Sequence, residues 1–313
     1  MDLFTTYGTI LIIMAGAFGF FMAWGVGAND VANAMGTSVG SKALTIKQAI
    51  LIAMVFEFAG AYLAGGEVTS TIRKGIVDSG VFADKPDLLV FGMLSSLLAA
   101  GTWLMLASFM GWPVSTTHSI VGAIVGFAAV GVSNDAVNWD KVSTIVLSWV
   151  VSPLMAGTIS FAIFRSVQMN ILIHDNPFER AKKYAPMYIF AVGFLMAMVT
   201  LLKGLKHVFK DIGIKLSFGE NALVAVGFGI LVAILGTYLL SKVERDESKE
   251  EDNRFYNVEK VFAVLMIFTA CSMAFAHGSN DVANAVGPLA AIVSVVSSGG
   301  DIAAKSVMPS WIL

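Results

Sequence analysis

Asp30 and Asp281 are the residues whose type and surroundings could do chemistry, because each is a carboxylate set between two asparagines in otherwise apolar sequence. The first lies in Gly27-Ala28-Asn29-Asp30-Val31-Ala32-Asn33-Ala34-Met35-Gly36 and the second in Gly278-Ser279-Asn280-Asp281-Val282-Ala283-Asn284-Ala285-Val286-Gly287. The two stretches align without a gap, 251 residues apart, and the match extends upstream, where Met22-Ala23-Trp24 faces Met273-Ala274-Phe275. A charged aspartate in a bilayer costs at least about 2.5 kcal/mol even on mild insertion scales, so an intramembrane carboxylate marks a site by default. In each copy the last asparagine follows the aspartate by three positions, which on a helix puts both side chains on one face. Asn29, Asp30 and Asn33, with Asn280, Asp281 and Asn284, thus form two sets of oxygen ligands. Such ligands suit a hard cation such as sodium, whereas imidazole and thiolate suit softer metals. Gly25, Gly27 and Gly278 permit the helix to unwind there and release backbone carbonyls as further ligands. The plainer alternative is polar glue between helices, but glue rarely needs a carboxylate and rarely repeats in register.

Pro113-Val114-Ser115-Thr116-Thr117-His118 carries different chemistry. A proline followed by hydroxyls reads as a helix break and a new helix start. Ser115, Thr116 and Thr117, together with the free N–H groups and positive dipole end of that helix, make an anion cradle that needs no lysine. An ordinary N-cap with spare hydroxyls is the plainer reading, and two cation sites in the same membrane sequence favour the cradle. His118 reads as a packing residue. Glu57, inside Phe56-Glu57-Phe58, is a further carboxylate in apolar sequence; it either pairs with a helix terminus or joins the ion path.

The elements that must position these residues are transmembrane helices. The chain has 313 residues, of which 57% are hydrophobic and 13% charged, with mean hydropathy +0.78; a soluble domain carries roughly 25% charged residues. An all-α polytopic membrane protein follows. The net charge of −2 and the lack of a basic stripe exclude a nucleic-acid partner. Cys271, a single cysteine in an apolar run, reads as a small core residue. The N-terminus lacks a positive leader region, so its first apolar run is expected to stay as a helix. Apolar runs of about 20 residues, enough to span a bilayer, occupy 5–26, 46–63, 88–110, 143–164, 185–202, 222–240 and 261–276, while 119–132 is too short. The third run and this short segment form a pair, either a re-entrant hairpin or two crossings. Counting them as a pair puts the motifs at the ends of helices running in opposite senses, which makes the repeat inverted and focuses both halves on one shared site. Polar connectors are expected at 67–87, 165–184, 203–221 and 241–260, the last a dense mixed-charge linker. Lys and Arg number eleven on inner and eight on outer connectors with the N-terminus outside, which favours that orientation weakly.

Taken together, the duplicated Gly-x-Asn-Asp-Val-Ala-Asn-Ala motif, the Gly287-Pro288-Leu289 that follows its second copy, and Pro113-Val114-Ser115-Thr116-Thr117-His118 resemble the inorganic phosphate transporter (PiT) family over essentially the whole chain. The resemblance implies a secondary active transporter, not an enzyme, that couples sodium or proton entry to phosphate uptake across the cytoplasmic membrane. It implies an inverted-repeat core with broken or re-entrant helices at the substrate site, no cofactor beyond sodium as co-substrate, and a homodimer. Carried over residue by residue, it implies phosphate contacts at Asp30, Ser115, Thr116, Thr117, Asn280 and Asp281. Sodium contacts would fall to Asn29, Asp30, Asn33, Asn280, Asp281 and Asn284, with a transport role for Glu57. The corresponding division is a first repeat over 1–164, connecting transmembrane helices over 165–240, a cytoplasmic linker over 241–260 and the start of a second repeat over 261–313.

One departure stands out: the proline and hydroxyl signature occurs twice in that family and once here. The repeat spacing would place the second copy near about position 364, so the chain is expected to be truncated or incompletely represented. Two alternatives compete. A sulfate transporter of the same fold would use the same cradle. An intramembrane aspartyl protease would also use two membrane aspartates, but in unlike motifs and with a Pro-Ala-Leu element that is missing here.

Overall fold

The computed structural model describes residues 3–204, 216–250 and 253–302. The lysine-bearing connector at 203–221 therefore lies largely outside the described residues, as does the segment 303–313. Among the described residues the architecture is all-helical. We number the helices α1 (Leu3–Gly40), α2 (Ile46–Gly75), α3 (Pro86–Met110), α4 (Thr116–Gly131), α5 (Trp139–Val167), α6 (Pro177–Val199), α7 (Phe218–Ser241) and α8 (Tyr256–Ser297). All but α4 are long and apolar enough to cross a membrane, giving seven such helices among the described residues. Each corresponds to one of the apolar runs read from the sequence.

α1 and α8 extend furthest beyond their apolar runs. α1 continues through the first motif to Gly40, and α8 continues through the second, past Pro288, to Ser297. The expected unwinding at Gly25, Gly27 and Gly278 is therefore not what the backbone does. A glycine inside a helix costs about 1 kcal/mol, whereas each amide or carbonyl left unpaired in apolar surroundings costs roughly 2 kcal/mol or more, so the intact helix wins. The exception is built into α8: Pro288 has no N–H, so the carbonyl of Asn284 loses its usual donor one turn on. α2 likewise runs to Gly75, which shortens the expected connector at 67–87.

The chain folds into two compact units, Met1–Asn33 with Phe58–Val146 and His277–Leu313, and Ala34–Glu57 with Leu147–Ala276. In the first, Met22 of α1, Met93, Leu97 and Leu104 of α3, and Ile120 and Ile124 of α4 are fully buried in one core. Because lipid is as apolar as leucine, such packing depends on close fit rather than on escape from water. α3 and α4 show that fit: a methyl group at Gly92 would overlap the ring of Phe127, which in turn lies 5.9 Å from the ring of Phe82. The loops after α2 and α4 are tied by an antiparallel bridge between Val77 and Val137, with Asp78 N–H donating to Ala136 O at 3.0 Å and Asn138 N–H to Ile76 O at 2.9 Å.

In the second unit, α6 and α7 approach closely enough that Ile189 fills the space a side chain at Gly236 would need. α7 starts on a reciprocal cap, in which Ser217 Oγ accepts from Glu220 N–H and the Glu220 carboxylate accepts from Ser217 N–H at 2.7 Å, satisfying two donors that a helix start leaves open. The mixed-charge linker is pinned here too. Arg245 donates twice to Glu250, at 2.6 and 3.1 Å, and the fully buried Asn257 donates to Asp246 O and Glu250 Oε2 while accepting from Asp246 N–H.

Candidate functional site

The site begins with how α3 ends. Gly111 takes φ +68, a left-handed conformation that a side chain would strain, and Trp112 N–H then reaches back to Ala107 O at 2.8 Å while Gly111 N–H bonds Ser108 O. These paired bonds close the helix. Pro113 prevents its resumption, and Ser115, in extended conformation, caps α4 by accepting from His118 N–H at 3.2 Å. The break leaves backbone groups in need of partners, each costing about 1–3 kcal/mol if buried unpaired. Asn29 supplies them: its Nδ2 donates to Trp112 O at 3.1 Å and its Oδ1 accepts from Val114 N–H at 3.3 Å. One amide of the first motif thus holds the break on both sides of the proline.

The two carboxylates meet at the start of α4. Thr116 Oγ1 donates to Asp30 Oδ2 at 2.8 Å. Asn284 Nδ2 lies 3.1 Å from Thr116 Oγ1, 3.2 Å from Thr117 Oγ1 and 3.1 Å from Asp281 Oδ1, and Thr117 Oγ1 approaches that same Asp281 oxygen at 3.5 Å. Thr116 and Asn284 are almost entirely enclosed, at 2% and 1% exposure. α1, α4 and α8 therefore place two carboxylates, two hydroxyls and one amide in a single polar cluster, all of it within the first compact unit.

The motif copies are not used alike. In the first, Asn29 is buried and Asn33 is exposed, its Nδ2 a long 3.5 Å from Asp30 Oδ1. In the second, Asn280 is exposed and Asn284 is buried. Asn29 serves the broken backbone and Asn284 serves the hydroxyls. Of the residues singled out by sequence, Asn29, Asp30, Ser115, Thr116, Thr117, Asp281 and Asn284 come together, and Asn33 and Asn280 stand at the exposed rim. Glu57 lies half-buried on α2 in the other unit.

Sequence reasoning missed His277. Its Nε2 lies 2.9 Å from Asp281 Oδ2, one helical turn along α8, and 3.7 Å from Asp30 Oδ2. The expected oxygen-only ligand set therefore has an imidazole against it. A signal existed: at the repeat spacing, His277 falls opposite Val26, a polar departure just before an otherwise faithful copy. Ser108, whose Oγ lies 3.4 Å from Asn29 Nδ2, was also missed, and nothing in its local sequence marks it.

Seven helices long and apolar enough to cross a membrane among the described residues, with carboxylates, amides and hydroxyls gathered at a helix break, are the marks of a multi-pass membrane transport protein. Comparison with known proteins gives the family. The model of the phosphate transporter family matches residues 26–313. A Haemophilus influenzae protein provisionally named a phosphate permease is 49% identical over 314 aligned positions, covering 100% of this chain and 73% of that protein. The inorganic phosphate transporter 2-1 of Arabidopsis thaliana chloroplasts is 41% identical, covering 94% of this chain and 51% of that protein. A solved structure titled as the sodium-dependent phosphate transporter superposes with TM-score 0.85 at 38% identity, over 97% of this chain and 72% of that one. The chain belongs to the phosphate transporter family, as its motifs imply, and that family is one of transporters, not enzymes. The intramembrane protease alternative is thereby set aside.

Proposed function

We propose that this protein is a symporter that couples sodium entry to uptake of inorganic phosphate across the cytoplasmic membrane, with Asp30 and Asp281 holding sodium beside a phosphate seated on the start of α4. The observation that carries this is the convergence of both motif carboxylates on Thr116 and Thr117. Asp30 and Asp281 offer oxygens within 4.8 Å of each other; two like charges at that distance repel by about 3 kcal/mol at an effective dielectric of about 20. A cation between them removes the repulsion, and an anion cannot approach before it does. The hydroxyl bonds supply a coupling step. Thr116 donates to Asp30, so the donor that phosphate needs is held by a carboxylate that sodium needs. Sodium on Asp30 and Asp281 takes up their lone pairs and frees Thr116 and Thr117 to donate to phosphate, with the Ser115 hydroxyl and the open N–H groups of α4 completing the cradle. Sodium binds first and phosphate second.

Asn29, Asn33, Asn280 and Asn284 complete the cation shells in this reading, and Glu57 serves the ion path. The motif copies belong to inverted repeats, the first over 1–164, joined by helices over 165–240 and a cytoplasmic linker over 241–260 to a second beginning at 261, and the protein works as a homodimer. What supports the inversion is that both motif copies meet at one polar cluster, a reading that counts the short α4 together with α3 as a pair; what supports sodium is the solved relative named for sodium dependence. Uptake of radiolabelled phosphate into proteoliposomes tests the proposal. An inward sodium gradient should drive accumulation, and uptake that follows a proton gradient while ignoring sodium, or that accepts sulfate in place of phosphate, would overturn it.

A further inference from the structure

We propose that Asp30, His277 and Asp281 form a binding site for a divalent transition-metal ion of the zinc or cobalt kind. One ligand atom from each lies within 4.8 Å of the others. Ligands around tetrahedral zinc, at about 2.0–2.2 Å from the metal, are spaced roughly 3.3 Å apart. The separations of His277 Nε2 from Asp281 Oδ2 and Asp30 Oδ2, 2.9 and 3.7 Å, bracket that value. The third pair, Asp30 with Asp281, lies within 4.8 Å, so a metal would draw the two carboxylates together in front of His277 Nε2.

Three further features suit such an ion better than sodium. The imidazole adds nitrogen to the donor set, and affinity of mixed nitrogen and oxygen sites rises along the first-row divalent metals toward copper and zinc, whereas sodium gains little from it. Two carboxylates neutralise a divalent ion fully, while a single sodium leaves one negative charge. The carboxylates are also oriented by hydrogen bonds, Asp281 by Asn284 Nδ2 on its other oxygen and Asp30 by Thr116 Oγ1 on the oxygen that faces His277, the kind of outer bond that orients metal ligands. His277 and Asp281 are one turn apart on α8, and Asp30 comes from α1, so the ion would join the two motif helices directly. Val26 occupies the matching place in the first copy, so only the second copy supplies an imidazole. The site stands on these three side chains; its consequence for transport, that the metal excludes sodium, rests on the reading proposed above.

Cobalt(II) added to the purified full chain in detergent provides the test through its visible absorption. The expected result is a saturable set of bands that zinc abolishes. Replacing His277→Val, the residue of the first copy, should weaken cobalt binding by about 100-fold or more, at or beyond the upper range seen for outer-shell changes. His277→Cys should retain binding and add a thiolate-to-cobalt charge-transfer band, a signature that a merely misfolded variant does not produce. A wild-type protein without saturable bands, or bands unchanged in His277→Val, would overturn the proposal, the second by assigning the metal to another of the four histidines. A second arm separates the two readings. If zinc binds at His277 yet leaves sodium-driven phosphate uptake untouched, the metal site stands and the placing of sodium at Asp30 and Asp281 fails.

Discussion

Thr116 Oγ1 donates to Asp30 Oδ2 at 2.8 Å, so the first residue of α4 and the carboxylate of the first motif are partners in the described state. This makes the two residues separable by kinetics. Thr116→Val keeps the shape and removes the donor; at saturating sodium it should raise the phosphate KM about tenfold, within the 1.5–3 kcal/mol of a hydrogen bond to a charged group. Thr116→Ser should restore it. An unchanged KM in the valine variant would remove Thr116 from the cradle.

Asp30→Asn and Asp281→Asn keep volume and remove charge. Each should lower sodium affinity by at least about tenfold, since 1.4 kcal/mol suffices for that. The measurement is the sodium dependence of phosphate uptake, and a curve that superposes on the wild type would count against either aspartate as a ligand.

Selection of phosphate over sulfate should depend on the same carboxylates. Phosphate at neutral pH still carries a P–OH that an ionised aspartate can accept, whereas sulfate offers none and is repelled. A site built around such a hydroxyl can reject an analogue lacking it by roughly 10⁴-fold. Excess sulfate should fail to displace phosphate in the wild type, and discrimination should shrink when the anion-facing aspartate becomes asparagine. Equal inhibition by the two anions in the unmutated protein would promote the sulfate alternative.

Asn29→Ala should cost stability as well as transport, because it strips partners from Trp112 O and Val114 N–H together. About 1–3 kcal/mol per buried group is expected. Thermal unfolding in detergent reads it, and a melting temperature equal to that of Asn33→Ala, an exposed position, would show that the break at Pro113 does not need this amide.

The linker should loosen in acid. The Arg245 guanidinium, bonded to Glu250, and then Asn257 hold the Glu250 carboxyl below its ordinary value of 4.5. A depressed folded value means the pairing stabilises fully above that ordinary value and is lost as pH falls through the lower folded one. Protease cleavage between Arg245 and Lys249 should therefore rise below about pH 4.5 for an acid-tolerant protease. Glu250→Gln should already be cleaved at neutral pH, without a further acid step at this residue; resistance of that variant equal to the wild type at neutral pH would dismiss the pairing as a tether.

The helices themselves were legible because their cause is local. Each apolar run has its span, and Pro113 followed by Ser115, Thr116 and Thr117 announces the break through residue types that end and start helices wherever they occur. The carboxylates and hydroxyls were legible for the same reason, as polar groups where apolar ones are expected. What was not legible is tertiary. The Asn-Asp-Val-Ala-Asn-Ala shared by both copies gives no sign that Asn29 is buried and Asn280 exposed, or Asn33 exposed and Asn284 buried, since that depends on which copy lies against the break. His277 was hidden by its ordinary place in an apolar run, and only its mismatch with Val26 distinguished it. The glycines misled, because a residue that permits unwinding does not cause it.

The length of α1 has one more consequence. At about 1.5 Å per residue, its 38 residues form a rod of roughly 57 Å, against a hydrocarbon layer of about 30 Å. Even a steep tilt of about 40° accommodates only some 39 Å of it in lipid, which leaves on the order of twelve residues beyond the hydrocarbon by the same rise per residue. The unbroken apolar stretch at 10–28 has first claim on the lipid, and the polar side chains of the first motif begin immediately after it, at Asn29. The hydrophobic mismatch thus obliges part of α1 to lie outside the hydrocarbon or to be sheathed by other helices rather than by lipid.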